Sequence, residues 1–389
     1  MSYDWIVVGA GLVGSAVAYE LAKVGFSVLL LDQSPDPSNA TRYSYGGIAF
    51  WAGDSDLTRQ LCQESEAIHP QLSEELGYDT QFREMDMLLV IDRDRDPTAI
   101  AASYQHYRIQ PQLLDPSMAV KMEPLLEPKA IAAALHIRHG HVDPESLTRA
   151  YQHGLRQAGG RVEIASVERF VQTGERIEGV VTSQEIYSGQ VIVSAGGLSR
   201  RLLYQMGIST RLYYTQAEIL ETPPLETVSL QTIVMSAELQ RMPMEAKATR
   251  PEYESLWDEP GHEPVPPILD VGAIQFQDGR IRIGQLSRVL TDPDALVNAS
   301  ASEEQLRDRI GQVLPCLKSV PAAWGSCLVG FSGDRLPLIG ALPGVSGLYL
   351  CSGFNGPFLL APPLARRFAK SQKGEADPIL AQLSPARFS

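Results

Sequence analysis

The sequence predicts an α/β protein of two domains, or one large interwoven unit, with one part on a parallel sheet and one on strands joined by hairpins. Three observations predict it. The chain has 389 residues, more than one ordinary core takes up. Its first 33 residues read strand, glycine-rich turn, helix, strand, acid. Further on come several strand candidates, two of them joined by Gln277-Asp278-Gly279-Arg280, a strong hairpin turn.

Composition sets the outer bounds. Hydrophobic residues make up 44% and charged residues 20%, which is a globular balance. The net charge of −13 argues against nucleic acid or an anionic membrane surface, both of which attract clustered Lys and Arg. The four cysteines, Cys62, Cys316, Cys327 and Cys351, form no CxxC pair or metal spacing, so a reducing compartment is expected. With no signal-peptide pattern and no apolar run of about 18 residues, the expected location is cytoplasmic, with no spanning segment.

The first element is Trp5–Val8, a continuous apolar run as in a parallel strand buried on both faces. From Leu12 to Lys23 the period becomes helical, with Val13, Ala16, Val17, Leu21 and Val24 at spacings of three and four. Gly25 ends that helix, and Phe26–Leu31 is a second buried strand. Gly9 permits the tight turn, Gly11 lets backbone approach a pyrophosphate, and Gly14 lets helix and strand pack closely. The helix N-terminus offers N–H groups to phosphate. Asp32, eighteen residues after Gly14, suits a ribose diol. The unit therefore predicts a Rossmann-type dinucleotide site. The next stretch, QSPDPSNATRYSYGGIAFWAG, is a long loop before a helix at about Asp56–Leu76. That favours FAD over a nicotinamide cofactor, which would call for further strand–helix units.

Three later segments complete the pattern. Asp143-Pro144 starts a helix that runs to about Ala158, Gly159-Gly160 stops it, and a strand covers Val162–Val167. A strand at Val191–Ser194 ends in Ala195-Gly196-Gly197. Near the C-terminus come Asp334-Arg335-Leu336-Pro337-Leu338-Ile339-Gly340, the strand Leu348–Leu350, the loop Gly353-Phe354-Asn355-Gly356-Pro357, and Leu360-Ala361-Pro362. With the N-terminus, these segments resemble the D-amino-acid oxidase superfamily of flavoproteins, which includes glycine oxidase and sarcosine oxidase. The resemblance is weak over about 215–320. Arg335 replaces a usual glycine, and the flavin loop is one residue shorter than in sarcosine oxidase.

The resemblance implies a discontinuous FAD domain at 1–80, 140–212 and 325–389. It also implies an interwoven α+β substrate domain at 81–139 and 213–324, on a large, mostly antiparallel sheet roofing the substrate cavity. Strand candidates for that sheet are Met85–Ile91, Ala132–Ile137, Tyr213–Glu221, Ile268–Gln277 and Arg280–Leu286. Gly9, Gly11 and Gly14, with Leu12 and Val13, would hold the pyrophosphate, and Asp32, followed by Gln33, the ribose. Thr41, Arg42, Gly46 and Gly47 would line the flavin, and Val167 would meet the adenine. Ala195 and Gly196 would sit under the pyrophosphate, and Gly353, Phe354, Asn355, Gly356 and Pro357 would face the ring. A helix N-terminus at Leu360 would bring a positive end to the reduced flavin. Cys327 stands where sarcosine oxidase has its flavin-linking cysteine, so FAD is expected either non-covalent or linked there.

The activity implied is oxidation of the C–N bond of a small amine or amino acid by hydride transfer to flavin N5, with O₂ or another acceptor. The carboxylate anchor departs from the family. No arginine lies in Trp324–Asp334, and no lysine in Gly353–Leu360. Arg42, Arg250 and Arg288 are substitute anchors, with Arg42 favoured because it follows Thr41. Tyr43, Tyr45, Tyr213 and Tyr214 are candidates for an aromatic pocket, and Arg42, Tyr45 and Tyr214 are the catalytic candidates. Trp51, Trp257 and Trp324 read as structural. His139-x-His141-x-Asp143 has a metal-like spacing, but reads better as a turn before a helix capped by Asp143, and no metal is expected. Residues 241–267, rich in Pro and charge, read as a long loop, either a lid or a plain surface excursion. The missing anchors also motivate a second reading: an FAD-binding protein without turnover that serves as an assembly or interaction factor.

Overall fold

The computed structural model describes residues 1–36 and 39–388. Two sheets organise it. The first holds β1 (Ser2–Val8), β2 (Val28–Asp32), β7 (Arg161–Ile164), β8 (Val167–Thr173), β9 (Arg176–Thr182), β10 (Ile186–Val193), β16 (Leu338–Ala341) and β17 (Leu348–Ser352). The second holds β3 (Gly47–Ile48), β4 (Arg83–Asp92), β5 (Gln112–Leu114), β6 (Ile131–His141), β11 (Leu212–Glu221), β12 (Ile233–Ser236), β13 (Ile268–Gln275), β14 (Ile281–Arg288) and β15 (Ala323–Ser332).

In the first sheet the order is β16-β17-β10-β1-β2-β7, with β8 and β9 joined on through β10. Its centre is parallel, from β17 through β10, β1 and β2 to β7. Continuous apolar strands require cover on both faces. One face packs under the helices Leu12–Lys23, Asp56–Leu76, Pro144–Gln157 and Pro357–Ser371. The other packs Ile6, Leu29 and Val191 against Phe170, Val180 and Tyr187 of the β8–β9–β10 meander. The helix Asp56–Leu76 starts on Ser55, whose hydroxyl accepts from Thr58 N, and ends on Gly77 at φ 64°.

The second sheet runs β15-β11-β14-β13-β12-β4-β6-β3, with β5 on β6. Its ladders are antiparallel except for β12 on β4. The hairpin turn forms as expected: Gly279, at φ 89°, donates to Phe276 O, and Phe276 N donates to Arg280 O. The helix Ala299–Val313 covers one face through Leu306, Ile310 and Val313.

Four local expectations change. Ala323–Ser332, divided at 325 in the sequence reading, is one continuous strand of the second sheet because it pairs with β11 along its whole length. β6 continues to His141, paired with Arg83, so His139 and His141 are strand residues and only Val142 precedes the helix cap. Asp143 does cap that helix, accepting from Ser146 N at 2.8 Å. Residues 241–267 are not one long loop. They hold a helix at Arg241–Ala248 and a 3₁₀ stretch at Pro251–Asp258, docked through Met244, Ala248 and Trp257 onto Tyr213, Tyr214 and Phe331. Pro243 sits in the first helical turn, where no N–H bond is lost. Lastly, the C-terminal helix starts at Pro357, not at Leu360, with Gly356 at φ 85° as its N-cap.

Ion pairs tie the second sheet to the helix Pro144–Gln157 that covers the first. Glu221 of β11 receives Arg42, Arg280 and Arg282, and Arg42 also meets Glu145. Arg280 reaches Asp143 at 3.2 Å. Arg282 is wholly buried and donates to Ser44 O, bracing the segment that leads to Gly47.

Candidate functional site

A cavity of about 650 Å³ runs from the first turn after β1 to the inner wall of the second sheet. Its narrow end is built by the turn Gly9–Gly14. Gly9 has φ 106°, and a Cβ there would lie 2.4 Å from Ser194 O. At Gly14 a Cβ would lie 1.9 Å from Gly9 O, so the helix rests on the turn at a spacing only glycine allows. Gly9, Gly11, Leu12 and Val13 line the cavity, as do Asp32, Gln33 and Val167. The first N–H groups of a helix lack intrahelical partners and suit an anion. Leu12 N donates to Thr41 Oγ1 at 3.2 Å. Asp32 accepts from Ala10 N at 2.6 Å and Ser34 N at 3.0 Å, which fixes the turn and aims its carboxylate. Ala195 and Gly196 lie alongside, with the hydroxyl of Ser194 buried and unpartnered.

The broad end is framed by Tyr43, Ser44, Tyr45 and Gly47, by Cys327 and Leu328 on β15, and by Gly353, Phe354, Gly356 and Pro357. Its roof is apolar: Met87, Ile219, Ile233, Met235 and Ile274. His139, Gln285 and Arg241 add polar points. The Tyr45 hydroxyl is buried without a partner, and burial pushes its pKa up. Burial also pushes the Cys327 thiol up to about 12. His139 is 6% exposed, and burial pulls its pKa down to about 4, so it is neutral near pH 7.

Several anticipated residues stand elsewhere. The guanidinium of Arg42 is taken up by Glu221, at 2.9 and 2.5 Å, and by Glu145, at 3.2 Å. It is outside the cavity lining, so it is a tie between β11 and the helix Pro144–Gln157 and not a carboxylate anchor. Arg288 pairs with Glu218 and Glu263, and Arg250 is exposed. Tyr214 is buried edge-on against Trp257, outside the lining, so it is core and not catalytic. Tyr213 donates to Glu254. Gly14 and Gly46 serve by close approach: at Gly46 a Cβ would meet Val142 O at 2.1 Å. Asn355 is outside the lining too, and accepts from Arg241 Nη2 at 3.0 Å. His139 and His141 accept from Trp51 and Arg83, while Asp143 caps its helix and pairs with Arg280. No cluster of three metal-type side chains occurs among the described residues.

Arg241 is the residue the sequence reading missed. It opens the helix Arg241–Ala248, pairs through Nε with the buried Glu245 at 3.2 Å, and reaches across to Asn355. Its Nη1 has no acceptor among the described residues. A charged residue opening a short helix inside a Pro-rich stretch was the only signal available.

The cradle fits FAD. A glycine turn and helix N-terminus face the narrow end, an acid stands one strand away, and a broader, mostly apolar space follows. Among the described residues no helix is long and apolar enough to cross a membrane.

The family model for FAD dependent oxidoreductases matches residues 4–371. Glycine oxidase of Pseudomonas aeruginosa is 26% identical, with 98% of this chain and 97% of that protein covered. An uncharacterized oxidoreductase of Bacillus subtilis is 23% identical, with 92% of each covered. Among solved structures, glycine oxidase from Geobacillus kaustophilus superposes with a TM-score of 0.81 at 21% identity, covering 99% of both chains. A family match of that extent, on a cavity shaped for the cofactor, leaves one assignment: the chain belongs to the DAO family of FAD dependent oxidoreductases, is similar to glycine oxidase, and its cofactor is FAD.

Proposed function

We propose that the protein oxidises the C–N bond of a small amine that carries a carboxylate, passing a hydride to N5 of FAD. Bound FAD supplies the two-electron acceptor. The chain supplies placement. Glycine oxidase among its relatives supports an amino-acid substrate. The observation that carries the reading is Arg241, a guanidinium on the cavity wall with an open Nη1 edge, held from behind by Glu245 and from the side by Asn355. A guanidinium already fixed at Nε and Nη2 presents its Nη1 to a carboxylate in a set direction, for a charge-assisted hydrogen bond. The apolar roof of Met87, Ile233, Met235 and Ile274 strips water from the amine and favours its neutral form, which leaves no need for a protein base.

The test is anaerobic mixing of the yellow holoenzyme with glycine, sarcosine, D- and L-amino acids, proline and simple amines. The expected result is bleaching of the flavin band by carboxylate-bearing amines, and admitting air then separates an oxidase from a dehydrogenase. No bleaching by any of them, with dithionite still reducing the flavin, would instead favour a cofactor-holding role without turnover.

The flavin is held non-covalently in this reading. A thiol pushed up to about 12 supplies almost no thiolate at neutral pH, and the thiolate is the nucleophile a thioether link requires. Acid precipitation is expected to leave a colourless pellet and a yellow supernatant. A yellow pellet that turns colourless in Cys327→Ser would reverse the assignment.

A further inference from the structure

The cavity wall on the second sheet carries one imidazole among the described residues, that of His139. Its Nδ1 lies 3.1 Å from Trp51 Nε1. An indole N–H can only donate, so Nδ1 is the acceptor and carries no proton. The imidazole is buried and neutral, which puts its single proton on Nε2. Nε2 faces Gly47: a Cβ on that glycine would lie 2.7 Å from it. Gly47 itself frames the broad end of the cavity. Nε2 has no acceptor among the described residues, and Met87, Ile233, Met235 and Ile274 of the same cavity wall are apolar. Nε2 is not among the fully buried unpartnered atoms, so it still reaches the cavity; once the cavity fills and excludes water, a donor there without an acceptor is costly, so the acceptor is expected on what fills it.

We propose that His139 is a ligand-binding residue whose Nε2–H, locked in place by Trp51, donates to an oxygen of the molecule lying over Gly47. The proposal rests on the reading of this cavity as the amine-oxidising site. Two sources present such an oxygen there, the substrate carboxylate and a carbonyl of the flavin, and they are separable. Gly47 has its own reason in this arrangement, since any side chain would cover the Nε2–H.

The experiment uses the holoenzyme and three variants, His139→Leu, His139→Gln and Trp51→Phe. Butyrate, a plain carboxylate, is titrated in while the flavin spectrum is followed, and FAD affinity is measured separately. If the oxygen is the substrate's, His139→Leu weakens butyrate binding by about 10-fold to 100-fold, the value of a hydrogen bond to a charged group. If it is the flavin's, His139→Leu shifts the flavin band and weakens FAD binding, while butyrate binding holds. His139→Gln recovers most of either loss, because its amide N–H reaches nearly the same point. A role confined to packing would give Gln no such advantage.

The lock has its own readout. In ¹⁵N-histidine spectra the parent is expected to carry the His139 proton on Nε2 alone, and Trp51→Phe to mix the tautomers. The proposal is overturned if the proton is on Nδ1. It is equally overturned if a folded, yellow His139→Leu keeps the parent's butyrate affinity, flavin band and FAD affinity, or if Gln restores nothing. A parent that binds no butyrate and oxidises no amine sinks the amine-oxidising reading, and the flavin arm alone then decides His139.

Discussion

Arg241→Met is expected to lower kcat/KM for a carboxylate-bearing amine by about two orders of magnitude or more, and to leave an amine lacking the carboxylate nearly untouched. Removing one partner of a desolvated, hydrogen-bonded charge pair costs about 2 to 5 kcal/mol, and each 1.4 kcal/mol is about tenfold. The fold should survive the change. Glu245, left behind, is buried with its carboxyl pushed upward by desolvation, so it can take a proton and avoid standing as an unpaired charge. Arg241→Lys should restore only part of the loss, since an ammonium lacks the planar fork. The check is steady-state kinetics with a matched pair, an amino acid and its decarboxylated amine. Equal losses on both would make Arg241 a prop for Asn355 and not an anchor.

Gly9→Ala is expected to give a protein that no longer retains FAD. The substitution places a side chain at φ 106° and drives its Cβ to 2.4 Å from Ser194 O, a backbone atom that cannot swing aside. Left-handed strain costs about 1 to 3 kcal/mol and overpacking a similar amount. Relief must come from opening the turn against Ser194, which is the surface the cofactor needs. FAD affinity should fall by about 100-fold or more, read by flavin fluorescence on dilution, with far-UV circular dichroism near the parent's. Retention of yellow colour through purification would contradict the cradle described here.

How far the sequence carried this account depended on the range of the interactions involved. β1, β2 and the helix between them were legible because the apolar run, the glycines and the helical period all lie within 33 residues. Asp143 was legible as a cap because capping acts over three residues. Arg42 was misplaced for the opposite reason. Its neighbours fitted a flavin-lining segment, but its guanidinium belongs to Glu221, far along the chain on β11. His139 looked like part of a turn because nothing nearby announces that β6 runs on to His141 or that Trp51 will meet its ring. Arg241 was hidden by prolines, which punctuate loops in general yet are harmless in a helix's first turn. The lining of the broad end is drawn from segments dispersed along the chain, and no local pattern reports such convergence.

The strand order of the first sheet has a consequence for biosynthesis. β1 leaves the ribosome well before its sheet partners: its neighbour β10 ends at Val193 and β10's own neighbour β17 ends at Ser352. At about 5 to 20 residues per second, roughly 20 to 70 s pass between synthesis of the first strand and arrival of the last parallel one. Throughout that interval the nascent chain has an uncompleted apolar sheet, and the segment Gly353–Pro357 that closes the broad end does not yet exist. FAD capture therefore waits on synthesis of Gly353–Pro357, long after the glycine turn that cradles the pyrophosphate has been made.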